Sequence, residues 1–326
     1  MFSFVKAYVK SMRLYYAFIT GIAGWLGIAY YEYIAKYSYQ TINGEAPLYK
    51  KAIIITLLFL SWGINQIFND YLGLEEDRIN APQRPMVTGE LEPKKALATS
   101  IVLLAISFVI IWVFLEPIAI IPAFLGVMLN VLYEYAKGYS ILGNIVFGLM
   151  IAMCTLVGYL ALGPTVQPYF SSDWVSLLVL VCVLNGLMTF YTFFKDYTGD
   201  KEAKKETIVV KFGIQKSRYI ALTAAFIPAL LFVTLYLGRV LSIQANSTFL
   251  FLGALTFFLL LWTGVLYYKY PSGERTYYSL SVNFRACACG QATLIALFNP
   301  QLGMMLFIAT YIFVGFLFDL HSNSKA

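Results

Sequence analysis

The chain has 326 residues, of which 60% are hydrophobic and 12% are charged, and its mean hydropathy is +0.72. Soluble domains carry about 25% charged and roughly 45–50% apolar residues, so this composition excludes an ordinary water-soluble globule. The net charge of +6 does not indicate nucleic-acid binding, because basic residues of membrane proteins concentrate on cytoplasmic loops. A single histidine, His321, and four cysteines without a C-x-x-C pair argue against histidine-based catalysis, disulfide frameworks and zinc sites.

Apolar segments long enough to cross a bilayer recur along the whole chain. A helical span needs about 20 mostly apolar residues. Nine segments are predicted to be spans, at about 13–35, 52–72, 96–115, 117–135, 141–163, 174–194, 218–238, 248–269 and 280–298. A tenth candidate runs from about 300 to 320. The sequence therefore predicts an all-α integral membrane protein, a bundle of about nine transmembrane helices.

The distribution of lysine and arginine predicts how the chain is inserted. With nine spans and a cytoplasmic N-terminus, eighteen of these residues fall on the cytoplasmic side and four on the other, while Lys325 depends on the tenth span. This asymmetry follows the positive-inside rule. Residues 1–326 are interpreted as a single polytopic transmembrane domain, with its N-terminus and two loops, at about 73–95 and 195–217, in the cytoplasm.

Polar and acidic residues mark the passage from the second span into the first of these loops. Asn69, Asp70 and Asp77 fall within an arc of about 100° on a helical wheel. Polar side chains at membrane depth are expensive, so they indicate a cavity or an ion. Carboxylate and amide oxygens suit Mg²⁺, usually together with substrate phosphate. The alternative is an ordinary helix end with solvated acids.

The second loop opens with Asp196 and Asp200, which are four residues apart and therefore lie on one face of a helix. Two neighbouring carboxylates repel each other unless a cation lies between them. Lys201 and Lys204 either neutralise them directly or, together with Arg84, bind a diphosphate. Two acidic clusters at equivalent helix ends, beside basic residues and apolar spans, indicate a Mg²⁺-bound lipid diphosphate as the substrate.

The residues at 69–85, Asn-Asp-x-x-Gly-x-x-x-Asp followed by Arg-Ile-Asn-Ala-Pro-Gln-Arg-Pro, resemble a known signature. It is the first signature of the UbiA superfamily of intramembrane prenyltransferases, N-D-x-x-D-x-x-x-D followed by N-x-P-x-R-P. Asp196-x-x-x-Asp200 resembles the second signature, and the stretches 139–144 and 207–213 resemble further family segments. The resemblance covers nearly the whole chain. It implies that the helices surround a central apolar cavity that opens near the cytoplasmic side.

The resemblance also implies roles for individual residues. Four aspartates are expected to be catalytic: Asp70, Asp77, Asp196 and Asp200. The same four, together with Asn69, are expected to hold Mg²⁺, two ions in all. The residues expected to bind the diphosphate are Asn69, Arg84, Lys137, Asn144, Lys201 and Lys204.

One departure from the family pattern affects the first metal site. Gly73 stands where the first signature has its middle aspartate. Helical angle makes Glu76 an alternative ligand, since it lies within about 20° of Asn69 on the wheel. We favour the view that Asn69, Asp70 and Asp77 suffice, because a glycine can end the helix before Glu76. Gly73→Asp is then expected to be tolerated.

The activity that the resemblance implies is transfer of a prenyl group from a prenyl diphosphate to an acceptor within the membrane. Mg²⁺ and basic residues stabilise the leaving diphosphate, and aromatic rings such as those of Tyr71, Tyr133, Tyr191 and Tyr197 stabilise an allylic cation. A lipophilic or aromatic acceptor is expected, with an aromatic or quinone-precursor ring preferred. The alternatives are a glycerol-phosphate lipid as acceptor, a terpene cyclase of the same superfamily, and a non-catalytic lipid-diphosphate binder or transporter. Membrane lipids are the other expected partners, and no nucleic acid is expected.

Overall fold

A computed structural model describes residues 2–37, 46–163 and 170–322, and these residues are almost entirely helical. Lipid offers no hydrogen-bond partners to the backbone, so an apolar segment that crosses it satisfies its own peptide groups as a helix. The predicted all-α class is confirmed. The helices are α1 (Phe2–Met12), α2 (Phe18–Tyr37), α3 (Leu48–Leu72), α4 (Leu74–Asn80), α5 (Pro85–Thr88), α6 (Pro93–Phe114), α7 (Ile120–Ala136), α8 (Leu142–Leu160), α9 (Ser172–Glu202), α10 (Ile208–Ala224), α11 (Ile227–Leu237), α12 (Ser247–Lys269), α13 (Thr276–Ile295) and α14 (Pro300–Ser322).

Short elements join some of these helices. Two 3₁₀ turns, Leu14–Tyr16 and Pro117–Ala119, precede α2 and α7. Two strands of two residues each, β1 (Tyr139–Ser140) and β2 (Glu206–Thr207), pair in parallel. This pairing fixes the chain after α7 beside the chain after α9.

Eight helical segments among the described residues are long and apolar enough to cross a membrane. They include Pro300–Leu320, the tenth candidate from the sequence. The predicted segments 13–35 and 280–298 are also helical, as α2 and α13, but these two helices are less apolar and are not among the eight. Lys325, whose side of the membrane depends on the last span, lies outside the described residues.

The polar composition of α13 has a physical reason. The helix is buried along almost its whole length, between α2, α9, α12 and α14. Its polar side chains therefore bind protein groups: Asn283 donates to the Met188 carbonyl at 2.9 Å, and the Thr293 and Thr256 hydroxyls are 2.8 Å apart. A helix enclosed by protein does not need the hydropathy of one that faces lipid.

The core lies between α2, α8, α9 and α13. Tyr30, Tyr159 and Trp174 pack there, with ring centroids 4.4 Å apart for Tyr30 and Trp174 and 4.8 Å for Tyr159 and Trp174. Large apolar side chains on outer helices are exposed instead, as Trp112 on α6 and Phe316 on α14 show. Such a surface suits lipid rather than water.

The two loops predicted at 73–95 and 195–217 are largely helical. The first contains α4 and α5, and the second begins with the last turns of α9. With 31 residues, α9 is about 46 Å long, which exceeds a hydrocarbon core of roughly 30 Å. The turns that carry Asp196 and Asp200 are thus a continuation of a spanning helix.

Candidate active site

A single cavity brings the residues of both signatures together. Its empty volume, including the open mouth, is about 1660 Å³. The residues at 69–84, 130–137 and 195–200 supply a polar end, whereas side chains such as Leu57, Phe108 and Met150 form apolar walls. Asn69 lies twelve positions after Leu57 on α3, or about 18 Å along the helix. The cavity therefore joins a charged end to a long apolar channel.

Arg84 lies between the two aspartates of the first signature. Its guanidinium pairs with Asp77 and lies 3.4 Å from Oδ1 of Asp70, which also binds Arg13. Asp77, Arg84 and Arg13 line the cavity, whereas Asp70 is 1% exposed and lies behind them. Burial raises the pKa of Asp77 to about 6, against the opposing charge of Arg84. Asp70 thus links the two guanidiniums from behind the cavity wall, and Asp77 pairs with Arg84 on the wall itself.

The second signature lies on the last turns of α9. Asp196 and Asp200 both line the cavity, and Oδ2 of Asp200, whose residue is 2% exposed, has no hydrogen-bond partner. Lys201 and Lys204 are exposed and lie outside the cavity lining. Lys195 does line it, with Nζ 3.7 Å from Oδ1 of Asp196. The roles predicted for Lys201 and Lys204 stay predictions.

A third group of charges comes from α7 and from the chain after α9. Lys137 lines the cavity, with Nζ 2.8 Å from Oε2 of Glu134. Lys205 pairs with Glu76 and lies 3.6 Å from the same Glu134 oxygen. Burial opposes the charge of Lys137, but the Glu134 carboxylate outweighs it and holds the pKa of Lys137 well above its ordinary value. Burial also raises the pKa of Glu76, but the hydrogen bond from Lys205 and the charges of Lys137 and Lys205 outweigh it, so the pKa of Glu76 is lowered.

The two predicted asparagines lie in different surroundings. Asn69 lines the cavity, and its Oδ1 is buried without a hydrogen-bond partner. Asn144 is buried outside the cavity lining, where its Nδ2 donates to the carbonyl of Gly186 at 3.1 Å. That bond joins α8 to α9. Asn144 is thus placed to position α9, and its predicted contact with the diphosphate stays a prediction.

Asn80 connects the two signatures directly. Its Nδ2 donates to the carbonyl of Asp196 at 3.1 Å, and its Oδ1 accepts from the N–H of Gly199 at 2.9 Å. Gly199 permits this contact, because a β-carbon there would clash with the Asn80 amide. The Asn80 amide thereby holds α4 against the end of α9.

We expect Asn80→Ala to loosen the site. Two lost hydrogen bonds correspond to about 1–3 kcal/mol of stability, so the variant should melt at a lower temperature and need more Mg²⁺ for half-maximal activity. Gln83→Ala removes an exposed amide from the same loop and serves as the control. Thermal unfolding and Mg²⁺ titration of the two variants would give matching results if Asn80 had no role in positioning.

The donor set at the polar end fits Mg²⁺. In the described part of the chain, no three carboxylate, thiol or imidazole groups form a preformed metal cluster. Mg²⁺ is commonly held by one or two carboxylates plus substrate phosphates and water, so such a cluster is not required. Buried oxygens without hydrogen-bond partners are available in the first signature, on Asn69 and Asp70, and in the second, on Asp200.

Several residues at this site were not assigned to it from the sequence. Arg13 is one of the eighteen basic residues that predict the topology, and the sequence does not link it to Asp70, because the two are 57 positions apart with no local spacing between them. Asn80 belongs to the Asn-Ala-Pro-Gln-Arg-Pro segment of the first signature, and its type and spacing alone do not indicate a role for it. Glu134 could have been assigned from the sequence, because it lies inside the predicted span 117–135 and an ionisable residue in an apolar span indicates a functional site by default.

Comparison with known sequences identifies related proteins. Residues 41–288 match the UbiA prenyltransferase family. The chain is 24% identical over 243 residues to the digeranylgeranylglyceryl phosphate synthase of Methanosarcina mazei, covering 74% of this chain and 82% of that protein. It is 28% identical over 231 residues to the enzyme of the same name from Sulfurisphaera tokodaii, covering 67% and 73% respectively.

Comparison with solved structures identifies the same fold. A UbiA homologue from Archaeoglobus fulgidus, bound to GPP and Mg²⁺, aligns with a TM-score of 0.64 at 16% identity, covering 93% of this chain and 99% of that one. A structure of digeranylgeranylglyceryl phosphate synthase aligns with a TM-score of 0.57 at 22% identity, covering 97% and 99%. With the family match spanning most of its length, this multi-pass membrane protein belongs to the UbiA prenyltransferase family.

Proposed function

We propose that this prenyltransferase takes a prenyl diphosphate as donor, requires Mg²⁺, and transfers the prenyl group to the hydroxyl of a glycerol-phosphate lipid. The observation that carries the proposal is the cavity, which joins a cationic and carboxylate-rich end to an apolar channel. The digeranylgeranylglyceryl phosphate synthases of two archaea support this acceptor over an aromatic ring. The UbiA homologue bound to GPP and Mg²⁺ supports the prenyl diphosphate as donor and Mg²⁺ as the metal.

The residues at the polar end have complementary tasks in this reaction. Oxygens of Asn69, Asp77, Asp196 and Asp200, which line the cavity, would hold Mg²⁺, and the metal would supply Lewis-acid stabilisation of the leaving diphosphate. The ligand role of Asp70, which lies behind Arg84 and Arg13, stays a prediction. The basic groups that face the cavity bind the diphosphate oxygens and favour C–O cleavage by stabilising the developing negative charge. These groups are Arg13, Arg84, Lys137 and Lys195.

The apolar part of the cavity serves the prenyl chain. Tyr16, Trp62 and Phe147 line it, and Tyr133 lies at its border with the polar end, with the Tyr133 and Phe147 ring centroids 5.3 Å apart. Of the four tyrosines that the sequence suggested for this task, Tyr133 is among the lining residues and Tyr71, Tyr191 and Tyr197 are not. Aromatic faces attract a nearby cation, so the lining rings stabilise the allylic cation as the diphosphate leaves. The apolar walls disfavour water, which would otherwise capture the cation. The acceptor hydroxyl oxygen then bonds to the carbon that the diphosphate has left, and its proton passes to the released diphosphate.

Product analysis tests the proposal. The purified protein is incubated with Mg²⁺, a prenyl diphosphate of 10, 15 or 20 carbons, and one of three acceptor conditions: a glycerol-phosphate lipid, a hydroxylated aromatic acid or none. Mass spectrometry should detect a prenyl ether of the glycerol-phosphate lipid, and chelation of Mg²⁺ should stop diphosphate release. A prenylated aromatic ring or an acceptor-free cyclic product would reassign the substrate, and no diphosphate release under any condition would refute prenyl-diphosphate chemistry.

We also propose that the polar end faces the cytoplasm, as the eighteen-to-four distribution of basic residues predicts. Glu90 is exposed beside the first signature, and Arg239 is exposed after α11, on the opposite side in this topology. Cysteines introduced at these two positions should react with a membrane-impermeant thiol reagent from opposite sides. Labelling of the Glu90→Cys variant from outside intact cells would reverse the assigned orientation.

A further inference from the structure

The space beside Gly73 is occupied by carboxylates from elsewhere in the chain. Gly73 ends α3 and lines the cavity. A β-carbon built on Gly73 would lie 3.4 Å from Oε2 of Glu134 and 3.7 Å from Oε2 of Glu76. Any acidic side chain at position 73 would therefore extend into a region that already holds two acidic groups.

Of these two carboxylates, Glu134 is the better placed to serve the cavity. Glu76 is bound to Lys205, which does not line the cavity. Glu134 pairs with Lys137, which does. A diphosphate that binds Lys137 competes with Glu134 for this ammonium group, and the Glu134 carboxylate is then left for a divalent cation. Glu134 also lies closer to the β-carbon position of Gly73.

The burial of Glu134 gives a second reason to look for a function. The residue is 7% exposed and lies in the last turn of a segment that is otherwise apolar enough to cross the membrane. A charge in such a position is expensive and usually functional. Asp200 also lines the cavity, is 2% exposed and has one carboxylate oxygen without a hydrogen-bond partner.

We propose that Glu134 supplies, from α7, the carboxylate that the first signature lacks at Gly73, and that it acts as a ligand of the divalent cation. The inference rests on the proposed function, because it assumes that the cavity binds a metal–diphosphate. The site is then built from three chain segments: the end of α3 with α4, the end of α7, and the end of α9. It also revises the expectation that Gly73→Asp is harmless, since an added carboxylate would be close to Glu134 and Glu76 and would be repelled by them.

An exchange of the two positions tests this assignment. Four proteins are compared: the natural chain, Glu134→Gln, Gly73→Asp, and the double variant. The readout is the affinity for Mn²⁺, measured by electron paramagnetic resonance in the presence of a non-reactive prenyl thiolodiphosphate. Glu75→Gln, which removes an exposed carboxylate paired with Arg78 on the surface, is the control and should bind Mn²⁺ like the natural chain.

Glu134→Gln should weaken Mn²⁺ binding by about 10- to 100-fold, the range seen when groups around a metal are altered. Gly73→Asp should not improve binding in the natural chain, yet it should restore most of the lost affinity in the Glu134→Gln background. If Glu134 only neutralises Lys137 and Lys205, the bound thiolodiphosphate takes over that task, Glu134→Gln will bind Mn²⁺ with nearly the affinity of the natural chain, and this result would overturn the proposal.

A charge-conserving variant keeps the test decisive if Glu134→Gln does not fold. Glu134→Asp retains the charge beside Lys137 but shortens the side chain by one methylene. A ligand role predicts weaker Mn²⁺ binding in this variant, whereas a neutralising role predicts unchanged Mn²⁺ binding. Mn²⁺ binding by the natural chain distinguishes a failure of the proposed function from a failure of the role of Glu134. Failure of the natural chain to bind Mn²⁺ with the thiolodiphosphate would refute the proposed function, whereas normal binding without rescue would refute only the role of Glu134.

Discussion

Replacing Asp200 with alanine is expected to reduce the rate of diphosphate release by roughly 10²–10³-fold, the loss typical when one group that stabilises developing charge is removed. Asp200 lies on the last turns of α9, lines the cavity and has one oxygen without a hydrogen-bond partner. Asp196, four residues earlier, should respond in the same way. Both variants should also need more Mg²⁺ for half-maximal activity, because each lacks an oxygen ligand.

The control for these variants is Glu202→Ala, which removes an exposed carboxylate at the end of the same helix. Its rate and its Mg²⁺ requirement should equal those of the natural chain. Thermal unfolding in detergent would show that the Asp196 and Asp200 variants are folded. Near-normal turnover in either folded variant would mean that these aspartates only neutralise the lysines beside them.

Arg84→Ala is expected to raise the KM for the prenyl diphosphate by about 10- to 100-fold. A hydrogen bond to a charged group contributes about 1.5–3 kcal/mol, and each 1.4 kcal/mol is about tenfold in affinity. Arg84 lines the cavity and forms ion pairs with Asp70 and Asp77. Its loss therefore also leaves Asp77 without its ion pair to Arg84. Arg84→Lys should recover only part of the affinity, because an ammonium group lacks the bidentate geometry of guanidinium.

Arg78→Ala provides the matched control for Arg84. Arg78 lies in α4, is exposed and pairs with Glu75 at 3.6 Å, so its loss removes an equal charge from the same loop without touching the cavity. Substrate binding should be unchanged in this variant, and insertion should be normal in both. An Arg84→Ala protein that binds substrate normally but inserts in reverse would assign Arg84 to the topology signal.

The fold was largely predictable because lipid imposes a simple rule on the backbone. Ten apolar segments were predicted, and all ten are helical. Hydropathy was a poorer guide for α13, whose Asn283 and Gln291 are buried against protein. A count of apolar residues does not distinguish a helix that faces lipid from one enclosed by its neighbours.

The site was predictable where its residues are close in sequence. Asp196 and Asp200 are four residues apart on one helix, and both reach the cavity. Contacts between distant segments had no such pattern: Arg13 binds Asp70 across 57 residues, and Glu134 lies beside Gly73 only because α7 packs against α3. Lys201 and Lys204 follow the second signature closely, yet they are exposed and lie outside the cavity lining.

The central claim is that the two acidic signatures hold one diphosphate between them while the prenyl chain occupies the apolar channel. An experimental structure with Mg²⁺ and a non-reactive prenyl thiolodiphosphate tests it most directly. We expect the diphosphate to lie between Asp77 and Asp200, in contact with Arg84 and Lys137, with its hydrocarbon chain directed toward Phe108. A diphosphate bound outside this cavity, or a metal that contacts neither signature, would contradict the account.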